Sequence, residues 1–287
     1  RGLGDVYKRQ RQDQARQQDV KFISASEPQY TFSSPECRHS TLYMEKRAVE
    51  GEPTVFSETF EFTANGEWHN LKPEDVQPYD TTTALYKEYT AEREKHIVFS
   101  PRLRELAAKL TAGETNPYLK AKRIFRWVND NFPWASAREY STIENIPEYV
   151  LDNRHGDCGQ VSLLFITLCR ISGIPAHFQS GFMMHPRAWN LHDWAEVYFE
   201  GVGWVPADQS FGIPAFARNA DEEYFFLGGI DSWRMIVNTD YGMTLQPEKQ
   251  YPRSETVDFQ RGEVEWEGGN LYFPQWDYHM DIDYLNY

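Results

Sequence analysis

The stretch from Asn153 to Gly173, NRHGDCGQVSLLFITLCRISG, constrains the chain more than any other: it is a tight turn running into a helix. Val161, Leu164, Phe165, Leu168 and Cys169 recur at three- and four-residue steps, so the helix is expected to be amphipathic with one apolar face. Gly173 and Pro175 supply its stop. Cys158 then falls at the first helical position, at the positive end of the macrodipole and beside N–H groups that have no intrahelical partner. Both features favour thiolate over thiol, and thiolate is the nucleophile. Cys169 lies about 16 Å further along the same face at the usual helical rise, too far to share that chemistry, and reads as core.

A nucleophile needs partners, and the following segment offers two. Leu191–Phe199 alternates, with His192, Trp194, Glu196 and Tyr198 on one face and Asp193, Ala195, Val197 and Phe199 on the other. Glu200-Gly201-Val202-Gly203 reads as a hairpin turn, and Trp204–Asp208 as the returning strand. A turn centred near Glu200 makes His192 and Asp208 opposed or nearly opposed on antiparallel strands. Cys158, His192 and Asp208 thus form a Cys-His-Asp set: thiolate attacks a carbonyl, imidazole carries protons near neutral pH, and carboxylate fixes the imidazole tautomer. His155, on the turn before Cys158, is a poorly braced competitor for the base. His177, His185 and His279 read as strand or surface histidines.

Upstream, Ser100-Pro101 and Asn116-Pro117 each place a capping side chain before a proline at the first helical position. Two helices follow, with inward stripes Leu103, Leu106, Ala107, Leu110 and Ala121, Ile124, Phe125, Val128; a short helical piece near Pro147–Val150 comes next. Ala176–Met184 is a further strand. Residues 20–99 read as a β-rich N-terminal domain, with Phe56, Phe60 and Phe62 on one face and a tight turn at Asn65-Gly66. Residues 100–230 hold the core, and 231–287 a β-rich extension with strands at Trp233–Asn238, Val257–Trp266 and from Asn270 onward. At its end Tyr278, Met280, Ile282 and Tyr284 alternate with Asp277, His279, Asp281 and Asp283, a half-buried strand whose carboxylates form a solvated face.

Residues 1–19 stand apart. Asp5 to Gln10, DVYKRQ, matches the translation of a transposon adapter end used in sequencing libraries, and the chain begins at Arg1. Arg1–Gln10 is therefore set aside as an adapter scar, with the natural start expected to be missing, and residues 11–19 as a polar disordered lead-in. The compartment stays open, exported or cytoplasmic. An aromatic share of 15% argues for a folded, sheet-rich protein. A net charge of −14 disfavours nucleic acid or an anionic membrane as partner. No apolar run is long enough to cross a bilayer. The three cysteines, Cys37, Cys158 and Cys169, are too few and too scattered for a disulfide framework or a zinc site.

The run GDCGQVSLLFITLCRISGIPAHFQSGF, followed by LHDWAEVYFEGVGWVPAD, resembles the catalytic core of the transglutaminase-like superfamily, which shares its papain-like fold with peptide N-glycanases. The resemblance rests on Gly156 and Cys158 at the helix start, Arg170 with Gly173 to Ala176, then His192, Trp194 and Glu196, then Trp204 and Asp208, and covers about residues 100–215. It implies an α+β fold with a papain-like, transglutaminase-like catalytic core, N-terminal helices plus an antiparallel sheet, flanked by β-rich segments. It also implies Cys158 as nucleophile, His192 as general base and acid, and Asp208 as orienter. Trp194, Glu196 and Trp204 would support these residues by packing. The backbone N–H of Cys158 is one expected oxyanion donor; Trp134 and Gln160 are candidates for the second. Phe182 and Trp189 are candidates for a substrate groove.

The implied reaction is acyl transfer from an amide of a protein or peptide substrate. With water it is peptidase or amidase chemistry, and with a lysine amine it is cross-linking. Bacterial-type members make hydrolysis the more cautious reading. Competing readings are a retired fold kept as a binding or scaffold module, and deglycosylation of asparagine-linked sugars. No cofactor or metal is expected, and no EF-hand-like loop is present.

Overall fold

The computed structural model describes residues 5–8, 16–136 and 138–285. The chain divides into two units: Arg1–Asn65 with Ser180–Leu191 and Trp233–Tyr287, and Gly66–Gln179 with His192–Ser232. The fold is mixed helix and sheet, as expected of an α+β chain.

The first unit begins with β1 (Asp5–Lys8), β2 (Gln17–Ala25), β3 (Tyr30–Phe32), β4 (Thr41–Met44) and β5 (Glu58–Ala64). β2 and β5 pair antiparallel, Phe22 facing Phe60. Asp5–Lys8, set aside as scar, forms a strand paired with β4, and Gln17–Asp19, assigned to the lead-in, opens β2 because β5 supplies its ladder partners. The rest of residues 1–15 lies outside the described residues.

The second unit contains β6 (Glu67–Trp68), α1 (Ala84–Tyr89), α2 (Pro101–Leu110), α3 (Pro117–Asn131), α4 (Ile146–Asn153), α5 (Cys158–Ile171), β7 (Ala176–His185), β8 (Ala188–Phe199), β9 (Gly203–Ala207), α6 (Ala220–Glu223) and β10 (Gly229–Ile230). The end of β7 and the first four residues of β8, within Ser180–Leu191, belong to the first unit. Ser100 and Asn116 cap α2 and α3 by accepting the N–H of Leu103 and Leu119, each at 3.2 Å.

The single apolar face expected for α5 is too narrow. Every residue from Gly159 to Arg170 is buried, because α2, α3 and α4 pack around the helix. Burying Leu163, Leu164, Phe165, Ile166 and Leu168 contributes about 2 kcal/mol each, enough to make α5 the axis of this unit. Arg170 is tolerated inside because its guanidinium donates to the carbonyls of Ala176 and Ala91 at 2.8 and 2.9 Å.

Residues 66–99 also differ from the β-rich expectation. They hold the two-residue β6, α1 and loops, and belong with the second unit rather than with residues 20–65. No hairpin forms at Asn65-Gly66, because β6 pairs with β10 and β5 with β2.

The chain returns to the first unit in β11 (Arg234–Thr239), β12 (Glu263–Trp266) and β13 (Gly269–Leu271). A five-stranded sheet runs β13-β12-β1-β4-β3. β11 neighbours the distal half of β7, where Phe182, Met184, Met235 and Val237 form a core cluster. The strand expected over Val257–Trp266 shortens to Glu263–Trp266. The expected terminal strand is not a strand: Tyr278, Met280, Ile282 and Tyr284 are half-buried in alternation, but no ladder accompanies them. The alternation records packing, with Met280 and Ile282 on the Phe182 cluster and the Tyr284 hydroxyl on the Met184 carbonyl at 2.8 Å.

Candidate active site

Cys158 is the first residue of α5, and Asp157 is its cap. Asp157 Oδ1 accepts the N–H of Gln160 at 3.0 Å and the hydroxyl of Tyr140 at 2.6 Å. Gln160 reciprocates through Oε1 to the Asp157 N–H at 3.3 Å, completing a capping box. The helix start is therefore anchored from both sides, and the thiol is carried on a fixed backbone. Cys158 is half-buried.

The sulfur faces a carboxylate. Its S–H donates to Oδ2 of Asp193, on β8, at 3.4 Å. Burial pushes the thiol up well above its usual range, and the charges of Asp193 and Asp157 push it further; the Asp193 backbone N–H pulls the other way. The helix terminus, which favours thiolate, is opposed here by burial and by two carboxylates. A macrodipole supplies only about half a charge, and two carboxylates outweigh it.

His192 is buried on β8, and its Nε2–H donates to Asp208 Oδ2 at 2.7 Å. Asp208 Oδ1 accepts the N–H groups of Ser210 and Phe211, both at 3.1 Å, so this fully buried carboxylate has both oxygens engaged. The ring of Phe211 meets His192 edge-on at 5.4 Å between centroids, and Trp194 lies at 5.9 Å. Phe211 was not among the sequence candidates; its position three residues past Asp208 is the one signal available.

The register refines the hairpin. Phe199 pairs with Gly203 and Ala195 with Ala207, so the turn centres on Gly201 rather than Glu200. Extending that ladder by one residue sets Asp208 across from Trp194. His192 is thus its diagonal neighbour on the same face, within reach of long side chains. Gly201 takes φ +88° and Gly203 φ +108°, backbone that glycine adopts without strain.

Behind this pair runs a buried polar chain. Trp194 Nε1–H donates to Gln179 Oε1 at 2.6 Å, Gln179 Nε2–H donates to Glu196 Oε2 at 3.2 Å, and His177 Nε2 meets the same oxygen at 3.1 Å. Trp204 closes the far end, 4.4 Å from the His177 ring. Trp194, Glu196 and Trp204, all on the hairpin strands, are linked through Gln179 and His177. The period-two spacing of these last two polar residues along apolar β7 could have revealed them. His177 is a buried histidine on strand β7.

Other candidates fall elsewhere. Gln160 is buried, with its Oε1 accepting the Asp157 N–H in the capping box and one Nε2–H donated to the Arg138 carbonyl at 3.4 Å. Trp134 is exposed, and its backbone bridges Gly156, two residues before Cys158. Phe182 belongs to the core cluster of the first unit with Met184, Met235 and Val237. Trp189 is exposed and also belongs to the first unit. Cys169 is wholly buried. Among the described residues no group of three or more His, Cys, Asp or Glu could hold a metal ion, and no helix is long and apolar enough to cross a membrane.

Residues 104–209, which include Cys158, His192 and Asp208, match the family model of the transglutaminase-like superfamily. The chain is similar to the uncharacterized protein YebA of Bacillus subtilis (strain 168), 27% identical over 140 residues, 42% of this chain and 19% of that protein. It is also similar to an uncharacterized protein of Haemophilus influenzae, 26% identical over 165 residues, 48% of this chain and 42% of that one. The chain thus spans less than half the length of either relative. A solved structure from Cytophaga hutchinsonii, described as a candidate cysteine protease, shares the fold with a TM-score of 0.57 at 18% identity, over 83% of this chain and 75% of that one.

Proposed function

We propose that this chain is a thiol-dependent acyl-transfer enzyme that cleaves amide bonds in protein or peptide substrates, with Cys158 as nucleophile, His192 as proton carrier and Asp208 as its orienter. The observation that carries the reading is the buried His192–Asp208 hydrogen bond at 2.7 Å, with the other carboxylate oxygen satisfied by two backbone N–H groups. Such an arrangement costs desolvation and is worth that cost where one imidazole tautomer must be held. With Nε2–H committed to Asp208, Nδ1 is the nitrogen that exchanges a proton with the sulfur.

In the first half-reaction the Cys158 proton passes to His192 and the sulfur attacks the substrate carbonyl. The C–S bond forms, the C–N bond breaks, and the leaving amine takes the proton from His192. In the second, His192 removes a proton from water, the resulting nucleophile attacks the thioester, and the C–S bond breaks with the proton returned to Cys158. A primary amine in place of water gives transamidation by the same steps. The Cys158 backbone N–H, at the helix start, faces the developing oxyanion, and Trp134 is our assignment for the second donor.

The test is to expose the full chain to a mixed peptide pool, quench with acid and search by mass spectrometry for an acyl adduct on the peptide containing Cys158. We expect an adduct in the native chain and none in Cys158→Ala. Turnover without any dependence on Cys158 overturns the proposal, and absence of both adduct and turnover favours a retired binding module. Repeating the reaction with a primary amine separates hydrolysis from transamidation.

A further inference from the structure

The residue after His192 on β8 has no part in the three-residue mechanism, yet its side chain touches the nucleophile. Asp193 is buried, with 2% of its surface exposed, and its Oδ2 accepts the Cys158 S–H at 3.4 Å. The space it occupies is kept open by the sequence. A methyl group on Gly159 would stand 2.8 Å from Asp193 Oδ2 and collide with the Tyr140 hydroxyl. Glycine at the second helical position therefore admits a carboxylate and a phenol to the helix start, where any side chain would exclude them.

We propose that Asp193 is a positioning residue that restrains the nucleophile: its carboxylate holds Cys158 as a resting thiol, so that the attacking thiolate forms only when the sulfur gives its proton to His192. The inference rests on the reading of Cys158 as nucleophile. The charged groups that act on the sulfur come from two elements, Asp193 from β8 and Asp157 from the helix cap; the Tyr140 hydroxyl is bonded to Asp157, and His192 is the residue before Asp193 on β8. A negative charge beside a half-buried sulfur disfavours a second negative charge there. The S–H bond to Oδ2 also gives the thiol a fixed direction, which rotation about one side-chain bond releases. The physical consequence is a cysteine protected from oxidants and stray electrophiles, since both react with thiolate, and an activity whose acid limb lies on the alkaline side of an ordinary thiol.

The experiment is alkylation of the full chain with iodoacetamide over a pH series, with labelling of the Cys158 peptide quantified by mass spectrometry and free glutathione as reference. The native chain should give a midpoint above the about 8.5 of an ordinary thiol. Asp193→Asn, nearly isosteric and uncharged, should lower that midpoint by about one pH unit or more, with labelling at pH 7 rising about tenfold, and should move the acid limb of kcat/KM the same way. A folded variant whose midpoint is unchanged or higher overturns the proposal. If asparagine is not accommodated, Asp193→Ser makes the same measurement, and a native midpoint at or below that of glutathione overturns the proposal without any variant. Alkylation is read without substrate. An unshifted midpoint alongside Cys158-dependent turnover therefore retires the role of Asp193 alone, whereas Cys158-independent turnover retires the nucleophile reading alone.

Discussion

His192 and Asp208 sit two positions out of register on neighbouring strands, and their side chains close that offset with a 2.7 Å hydrogen bond from Nε2–H to Oδ2. The diagonal placement leaves Oδ1 facing back over the loop after β9, where the Ser210 and Phe211 N–H groups bind it. One carboxylate thus orients the imidazole and pins the loop that carries Phe211 against the ring.

Replacing Asp208 separates these two duties. Asp208→Asn keeps an acceptor but no charge, and turnover should fall on the order of 10²–10⁴-fold with the fold retained. Asp208→Ala strands the buried His192 donor and two half-buried N–H groups and should also destabilise by about 3–5 kcal/mol. Steady-state kinetics beside urea denaturation distinguish the effects; equal stability of the two variants would contradict this account.

Cys158→Ala should abolish turnover and leave the urea midpoint almost unchanged, since the side chain is half-buried and α5 is held by the residues beyond it. Cys169 is fully enclosed, and burial pushes its thiol well above the usual range, so it should resist iodoacetamide at pH values where Cys158 labels. Peptide mapping after timed alkylation reads both, and equal labelling would argue against the accessibility difference.

Trp194→Phe removes the indole N–H that Gln179 Oε1 accepts at 2.6 Å, inside a buried chain that continues to Glu196 and His177. A buried acceptor left without its donor costs about 1–3 kcal/mol. We expect that loss in chemical denaturation, together with a lower kcat at nearly unchanged KM, because the ring beside His192 is no longer tethered.

His96 is buried, its Nδ1 accepts the Ile146 N–H at 3.3 Å, and burial, with a smaller contribution from Lys95, brings its pKa down to about 4. The folded state holds the ring neutral while the unfolded chain protonates it near 6.5. Its contribution is therefore full above about pH 6.5 and lost as the pH falls towards 4, to a total of about 3 kcal/mol. Urea denaturation at pH 7 and 4.5 should show a smaller stability drop for His96→Asn than for the native chain.

Gly181→Ala would drive a methyl group into the Met235 carbonyl oxygen of β11. The two backbones must part, so destabilisation should exceed about 3 kcal/mol. Thermal or urea unfolding measures it, and a near-neutral result would mean that the strands lie farther apart than described.

Much of the core was legible because its signals are local. The Ser100 and Asn116 caps, the proline-led helices and the glycine turn of the β8–β9 hairpin each follow from a few adjacent residues, and each forms where expected. The flanks misled where a local pattern had two outcomes. Alternation over residues 277–284 describes a ladder and a packed extended tail equally well, and only the neighbour decides. Glu67-Trp68 has strand character whichever strand it meets, and it meets β10.

By itself the sequence determined that Cys158 begins a helix and that a histidine and a carboxylate return on one hairpin, since capping, periodicity and turn chemistry act between near neighbours in the chain. Tertiary structure alone decided what surrounds the sulfur. Asp193 reaches it across a separation of 35 residues, Gln160 bonds back to the cap, and Phe182 packs into the core of the first unit. The reason is physical: which side chain a buried group meets depends on how helix and sheet pack and on a two-residue offset in strand register. Neither is encoded by any one segment.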